Sequence, residues 1–423
     1  MEKRSVKISI IGAGISGLMA AKVLEANGYF ATIYEKTDSA GGRVKTDLIA
    51  GYQLDHGFQV LLEAYPMVQK YLDLEELALQ KFLPGAVIFR NGKQMTLGDP
   101  LRDFSLLLPT LGSSIGNLKD KWKIIRLSLS LKSKTIDQIF AEDEMTTKAF
   151  LEQKGFSEDM IACFFKPFFS GIFLEPDLAT SSRMFQFVFK MFGEGFATLP
   201  KNGISAIPAQ LLGSLTKSKI LYNSTITSLT DVSLNLSDGT ENEFDYAIIA
   251  TEPLFETPKP LDQKVSWKHC DVLYFTAKKR IIEKALIGLI ADESALINNI
   301  FYHTSLETGT RATDELLSVT VVKEHQLGQE ALIEKVQHDL ETYCGITELT
   351  FVKHYTIPKA LPNLQHLKNR LAIEDIKLSD HIFLAGDFLL NGSLNAAMIA
   401  GETAALALVK TIENSSSTNS ANL

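Results

Sequence analysis

The chain predicts an α/β fold, a Rossmann-like dinucleotide-binding domain interleaved with an α+β domain, on three observations. The first 35 residues read as strand, glycine loop, helix and strand. Apolar strand signals of the same kind return in the middle and at the end of the chain. The stretches between them are helical and rich in lysine or phenylalanine, or carry longer strands. A chain of 423 residues exceeds what one hydrophobic core usually serves, so two domains are expected. Residues 1–75, 197–260 and 365–412 fall to the first, residues 76–196 and 261–364 to the second, and residues 413–423 read as a disordered Ser/Asn tail.

Residues 6–11 form an apolar run, a buried strand, and Leu18, Ala21 and Leu24 come after it at helical spacing before Gly28 closes the helix. Residues 29–35 read as a second strand. Residues 100–134 are helical and lysine-rich, and a further helical stretch covers 146–192. Strand signals return at 220–229, 246–250, 271–277, 316–323 and 349–357. Leu332, Val336 and Leu340 mark a one-stripe helix between the last two. Residues 381–385 form a short strand and 395–409 an alanine-rich helix.

Bulk chemistry narrows the class. Hydrophobic residues make up 45% and charged residues 22%, and a net charge of -8 disfavours a nucleic-acid partner. Cys163, Cys270 and Cys344 lie too far apart for a metal-ligand motif or a disulfide framework, which fits a reducing, cytoplasmic setting and no metal. No run approaches the roughly 18 apolar residues of a membrane span.

The loop Gly12-Ala13-Gly14-Ile15-Ser16-Gly17 has a specific physical reading. Gly12 allows a tight strand-to-helix turn, Gly14 clears space for a pyrophosphate, and Gly17 lets the helix pack on the strand. The free N–H groups of the first helical turn favour an anion. Glu35, 18 residues after Gly17, ends the second strand where a carboxylate accepts hydrogen bonds from both ribose hydroxyls and repels a 2'-phosphate. The motif alone leaves FAD and NAD open.

From Glu35 onward the chain resembles the flavoprotein superfamily of amine oxidases, phytoene desaturases and protoporphyrinogen oxidase, with a Rossmann-like FAD domain of the GR2 type. Glu35-Lys36 and then Gly41-Gly42-Arg43-Val44 are similar to its second block, along the FAD pyrophosphate and ribityl chain. Residues 54–58, with His56, Gly57 and Phe58, look like the segment beside the flavin ring. Residues 220–226 resemble the strand whose Ile226 position binds adenine through its backbone, and residues 245–253 the strand ending at Ala250, Thr251 and Pro253 beside the cofactor. Residues 383–387 resemble the C-terminal flavin block, in which Gly386 precedes Asp387 and Asp387 would bind a ribityl hydroxyl. Gly392 to Met398, with Ala397, look like the start of the last helix, aimed at the flavin edge where reduction places negative charge. The resemblance implies non-covalent FAD and an oxidoreductase with hydride transfer to flavin N5.

On the substrate side, Ser393 replaces the aromatic residue that amine oxidases place after the last glycine, and Asn395 stands where glutamate is common. No cysteine lies near residues 358–362 in sequence to bond the flavin covalently. Ten of the 25 phenylalanines fall within residues 164–196. Phe185, Phe187 and Phe189, at spacing two, cannot share one helix face, so some are candidates to line a ligand channel. The expected substrate is hydrophobic, isoprenoid, carotenoid-like or tetrapyrrole, with oxygen, a quinone or another electron acceptor. The alternatives are a flavin amine oxidase, a non-redox isomerase or mutase, and a binding module without flavin. His56 and Lys359 are the candidate catalytic residues. Residues 119–134 alternate basic and apolar residues, a pattern for peripheral membrane contact.

Overall fold

The computed structural model describes residues 6–252, 265–309 and 312–421. Five short strands form a parallel sheet in the order Lys219–Leu221, Ala31–Tyr34, Ile8–Ile11, Tyr246–Ile249 and Ile382–Leu384. Ile8, Ile10 and Ile11 are buried with Ile33, Ala247, Ile248 and Ile249, as a parallel sheet covered on both faces requires. The first helix, Ile15–Ala26, packs on the last, Leu394–Ala421. A Cβ on Gly401 would sit 2.3 Å from the Ser16 carbonyl oxygen, so these helices approach at a distance only glycine permits.

A second, seven-stranded sheet runs in the order Thr350–Asn363, Ser266–Ala277, Glu315–Val321, Ile297–Tyr302, Ile287–Ile290, Gly85–Arg90 and Lys93–Gly98. Helix Lys166–Phe173 packs on this sheet, and helices Leu118–Lys132 and Ser182–Glu194 pack on each other. No described helix is long and apolar enough to cross a membrane.

Four of the differences from the sequence expectations concern the two large sheets and the last helix. Residues 85–98 form a hairpin that joins the large sheet, although no strand was expected there. Residues 220–229 split into two strands of different sheets, because Asn223 turns the chain with φ +54°. The strand expected at 271–277 begins at Ser266, which carries Trp267, Lys268 and His269 into the sheet. The last helix continues to Ala421 through the expected disordered tail, since extending a helix already nucleated on a packed segment is far less costly than starting one.

Candidate cofactor and substrate site

The glycine loop leaves the sheet at Gly12, whose φ of +101° and N–H donated to the Tyr34 carbonyl (2.8 Å) set the turn. A Cβ on Gly17 would lie 2.0 Å from the Gly12 carbonyl oxygen, so the helix sits directly on the loop. A Cβ on Gly14 would meet nothing within 4 Å, which leaves open space at the helix N-terminus. Glu35 is buried beneath this loop. One oxygen accepts the Ala13 N–H at 2.9 Å, and the other accepts the Thr37 N–H (2.9 Å) and hydroxyl (2.8 Å). A carboxylate offers about four acceptor positions, so Glu35 buttresses the turn and keeps capacity for one more donor.

Gly41 is tied to the loop by its N–H to the Ala13 carbonyl (2.9 Å), and this brings Arg43 to the cavity. Arg43 donates to the buried Asp387 at 2.5 Å and to the Ala360 carbonyl at 3.2 Å, and lies 5.2 Å from the Trp267 ring centroid. The Trp267 indole N–H donates to Glu252 at 3.1 Å, and Glu252 also pairs with Lys359. Lys359 thus faces a carboxylate at the cavity wall. His56 shares Asp47 with Tyr355: its Nε2 lies 2.9 Å from Asp47, and the Tyr355 hydroxyl donates to the same oxygen at 2.7 Å. Burial acts to raise the Asp47 carboxyl, but the Tyr355 and His56 hydrogen bonds outweigh it and hold it below the usual range. The rings of His56 and Tyr355 lie 4.3 Å apart, tilted by 33°.

Ser393 has a structural explanation. Its hydroxyl caps the last helix by accepting the Ala396 N–H at 3.0 Å and donates to Asn391 at 2.7 Å. Asn395 accepts the Met67 N–H at 3.0 Å, and Ser16 donates to the Ala397 carbonyl at 2.9 Å, which sets the starts of the first and last helices side by side.

Beyond the loop, one cavity of about 1920 Å³ runs from Gly12 to a chamber lined by Phe164, Phe168, Phe189 and Phe192. Typical single-ligand sites occupy about 300–1,000 Å³, so this space takes a cofactor and a second molecule. Phe164 and Phe168 stack at 5.6 Å and Phe168 meets Phe192 at 5.5 Å, whereas Phe165, Phe169, Phe185 and Phe187 are buried in the core. The phenylalanines thus divide between packing and lining.

Gly12, Gly14, Ile15, Ser16, Glu35, Lys36, Gly41, Gly42 and Arg43 reach the cavity wall. So do His56, Gly57, Phe58, Ala250, Thr251, Lys359, Gly386, Asp387 and Ala397. Four expected site residues do not. Ala13 and Met398 are fully buried, and Gly17 faces the loop backbone. Ile226 opens a strand of the separate three-stranded sheet, paired with Leu236. Pro253 lies outside the described residues. Trp267 and Lys268 are wall residues that were not expected from the sequence; the strand around Trp267 lacks the apolar alternation that would mark it.

The family model for flavin containing amine oxidoreductases matches residues 15–409. The chain belongs to this family. Among curated members, protoporphyrinogen oxidase 2 of Arabidopsis thaliana is 27% identical over 169 residues, covering 39% of this chain and 32% of the relative. The chain thus spans about a third of the length of that relative. The solved structure of a protein from Exiguobacterium sp. 255-15, assigned as a protoporphyrinogen oxidase, superposes with a TM-score of 0.71 at 16% identity, over 97% of this chain and 99% of that one. Putrescine oxidase bound to putrescine gives 0.70 at 17% identity, over 96% and 99%. At these identities the likeness shows a shared fold.

Proposed function

We propose that the protein is an FAD-dependent oxidoreductase that dehydrogenates a hydrophobic substrate, with residues 1–75, 197–260 and 365–412 serving the cofactor and residues 76–196 and 261–364 the substrate. The observation that carries this reading is the single cavity leading from the Gly12 loop to the phenylalanine chamber. FAD fits the residues present. The open space at Gly14 suits a pyrophosphate at a helix N-terminus, and Glu35 has acceptor capacity left for a ribose hydroxyl. The Arg43 guanidinium suits phosphate charge, and Asp387 suits a polyol hydroxyl. Bound there, FAD would supply two-electron oxidation of an activated C–H bond, with oxygen, a quinone or another acceptor taking the electrons.

The chain's own residues bind, orient and exclude water. The phenylalanine walls hold an apolar body against the cofactor end and keep the chamber dry. The three nitrogen-bound hydrogens of Lys268 outnumber its two acceptors, the Phe173 carbonyl (3.0 Å) and the Thr180 hydroxyl (3.1 Å). Burial lowers the Lys268 ammonium and the Glu175 charge opposes it. A cationic group with a spare donor on the cavity wall favours a substrate carrying a carboxylate, which a tetrapyrrole has and a carotenoid hydrocarbon lacks. The kinship with a protoporphyrinogen oxidase points the same way.

Non-covalent attachment is proposed on the state of the nearest thiol. Cys270 lines the cavity and pairs in register with Ile357, beside Pro358, but burial pushes it up to about 12, so it stays a weakly nucleophilic thiol at neutral pH. Two measurements test the proposal. Acid precipitation should release FAD into the supernatant, and porphyrinogens should bleach the bound flavin anaerobically. A colourless purified protein that takes up no FAD would sink the reading, and bleaching by amines alone would replace the substrate class.

A further inference from the structure

We propose that the cavity mouth is a docking surface for an anionic phospholipid bilayer. The inference rests on surface features and adds to the redox reading only the route by which an apolar substrate arrives. Among the described residues, eight of the fifteen exposed large hydrophobic side chains fall within residues 101–129. Leu101, Phe104, Leu108 and Leu111 come from the segment before the helix Leu118–Lys132, and Phe104 and Leu108 are each 79% exposed. Leu118, Trp122, Ile125 and Leu129 come from the helix itself, at spacings of four, three and four, which align them in one outward stripe. The inward face of the same helix buries Leu127 and Leu131. A helix that only had to pack on the protein would need one apolar face, not two.

The stripe is continuous with the interior. Leu101, Leu111, Ile125 and Leu129 are at once solvent-exposed and part of the cavity wall, so the apolar surface passes from outside into the chamber. Charge selects the occupant. The chain carries -8 overall, yet residues 118–134 hold six cations against one acid, Asp120, which is buried. Lys119, Arg126 and Lys132 are exposed and form no ion pair among the described residues, and Arg126 lies 5.8 Å from the Trp122 ring. An apolar stripe flanked by unpaired cations matches the headgroup and acyl boundary of an anionic leaflet. A protein partner seated here would close the mouth, whereas a bilayer would feed it.

The test is co-sedimentation of the full, flavin-loaded chain with phosphatidylcholine vesicles and with vesicles containing phosphatidylglycerol. Partitioning about tenfold or more stronger onto the anionic vesicles is expected. The variant Phe104→Ser/Leu108→Ser/Trp122→Ser alters residues outside the cavity wall and should lose most of that binding. Lys119→Glu/Arg126→Glu should remove the preference for the anionic lipid. Trp122 emission should shift to the blue on binding and be quenched by brominated lipid, with neither change in Trp122→Phe. No binding to anionic vesicles, binding indifferent to both variants, or self-association through this face that the triple variant abolishes would each overturn the proposal.

Discussion

Asp55 is buried beside the cavity with two donors, the Thr46 hydroxyl at 2.6 Å and the Ile204 N–H at 3.1 Å. Desolvation outweighs both and raises its carboxyl from 3.8 to about 6. A carboxyl raised on folding binds its proton more tightly in the native state, so its contribution is full below about pH 4 and is lost as pH rises through about 6. Asp55→Asn keeps an acceptor oxygen for both donors without the charge. It should be the more stable protein at pH 7–8, by up to about 3 kcal/mol, with that advantage vanishing toward pH 4 in paired thermal melts. Glu35 is buried too and accepts three hydrogen bonds. Glu35→Ala should strand the Ala13 and Thr37 amides at about 1–3 kcal/mol each and weaken FAD binding on the order of tenfold or more, read by titrating apoprotein with FAD.

The helix Ser182–Glu194 shows how one element serves both packing and ligand. Phe185 and Phe187 are buried, while Phe189 lines the chamber. Phe185→Ala should cost about 3–5 kcal/mol in denaturant unfolding. Phe189→Ala should cost much less and change KM for the hydrophobic substrate instead. Gly401 plays a comparable part between the first and last helices: a Cβ there would lie 2.3 Å from the Ser16 carbonyl oxygen, so Gly401→Ala should force them apart, lower Tm and reduce retained flavin together. The unexpected hairpin at 85–98 does carry a local signal. Asn91 and Gly92, both with positive φ, form the Asn-Gly turn between two apolar-bearing strands, and no short-range hairpin signal is stronger.

On the scale of the whole molecule, the cofactor would bridge elements from the start, middle and end of the chain, so removing it should loosen all of them. Protein stripped of flavin should melt lower, and FAD at a hundredfold excess over Kd should restore about 2.7 kcal/mol. FMN should restore little, because it lacks the adenosine half that the proposed site assigns to the Gly12 loop and Glu35. Equal rescue by the two flavins in a thermal-shift titration would contradict this assignment of the loop.

By itself the sequence determined the parts whose chemistry is local. The glycine loop, Glu35 and the Gly41-Gly42-Arg43 block all lie within the first 43 residues, and backbone sterics dictate which residues can occupy such turns. Tertiary structure decided whatever depends on distant chain segments meeting. Arg43 and Asp387 pair across 344 positions, Trp267 and Lys359 converge on Glu252, and Ser393 caps a helix where the family's amine oxidases carry an aromatic residue. The division of phenylalanines into core and wall, and the outward apolar stripe at Trp122, were likewise undecidable from spacing. Helical periodicity says that a face is apolar, and only packing says whether that face is covered by protein, by ligand or by neither.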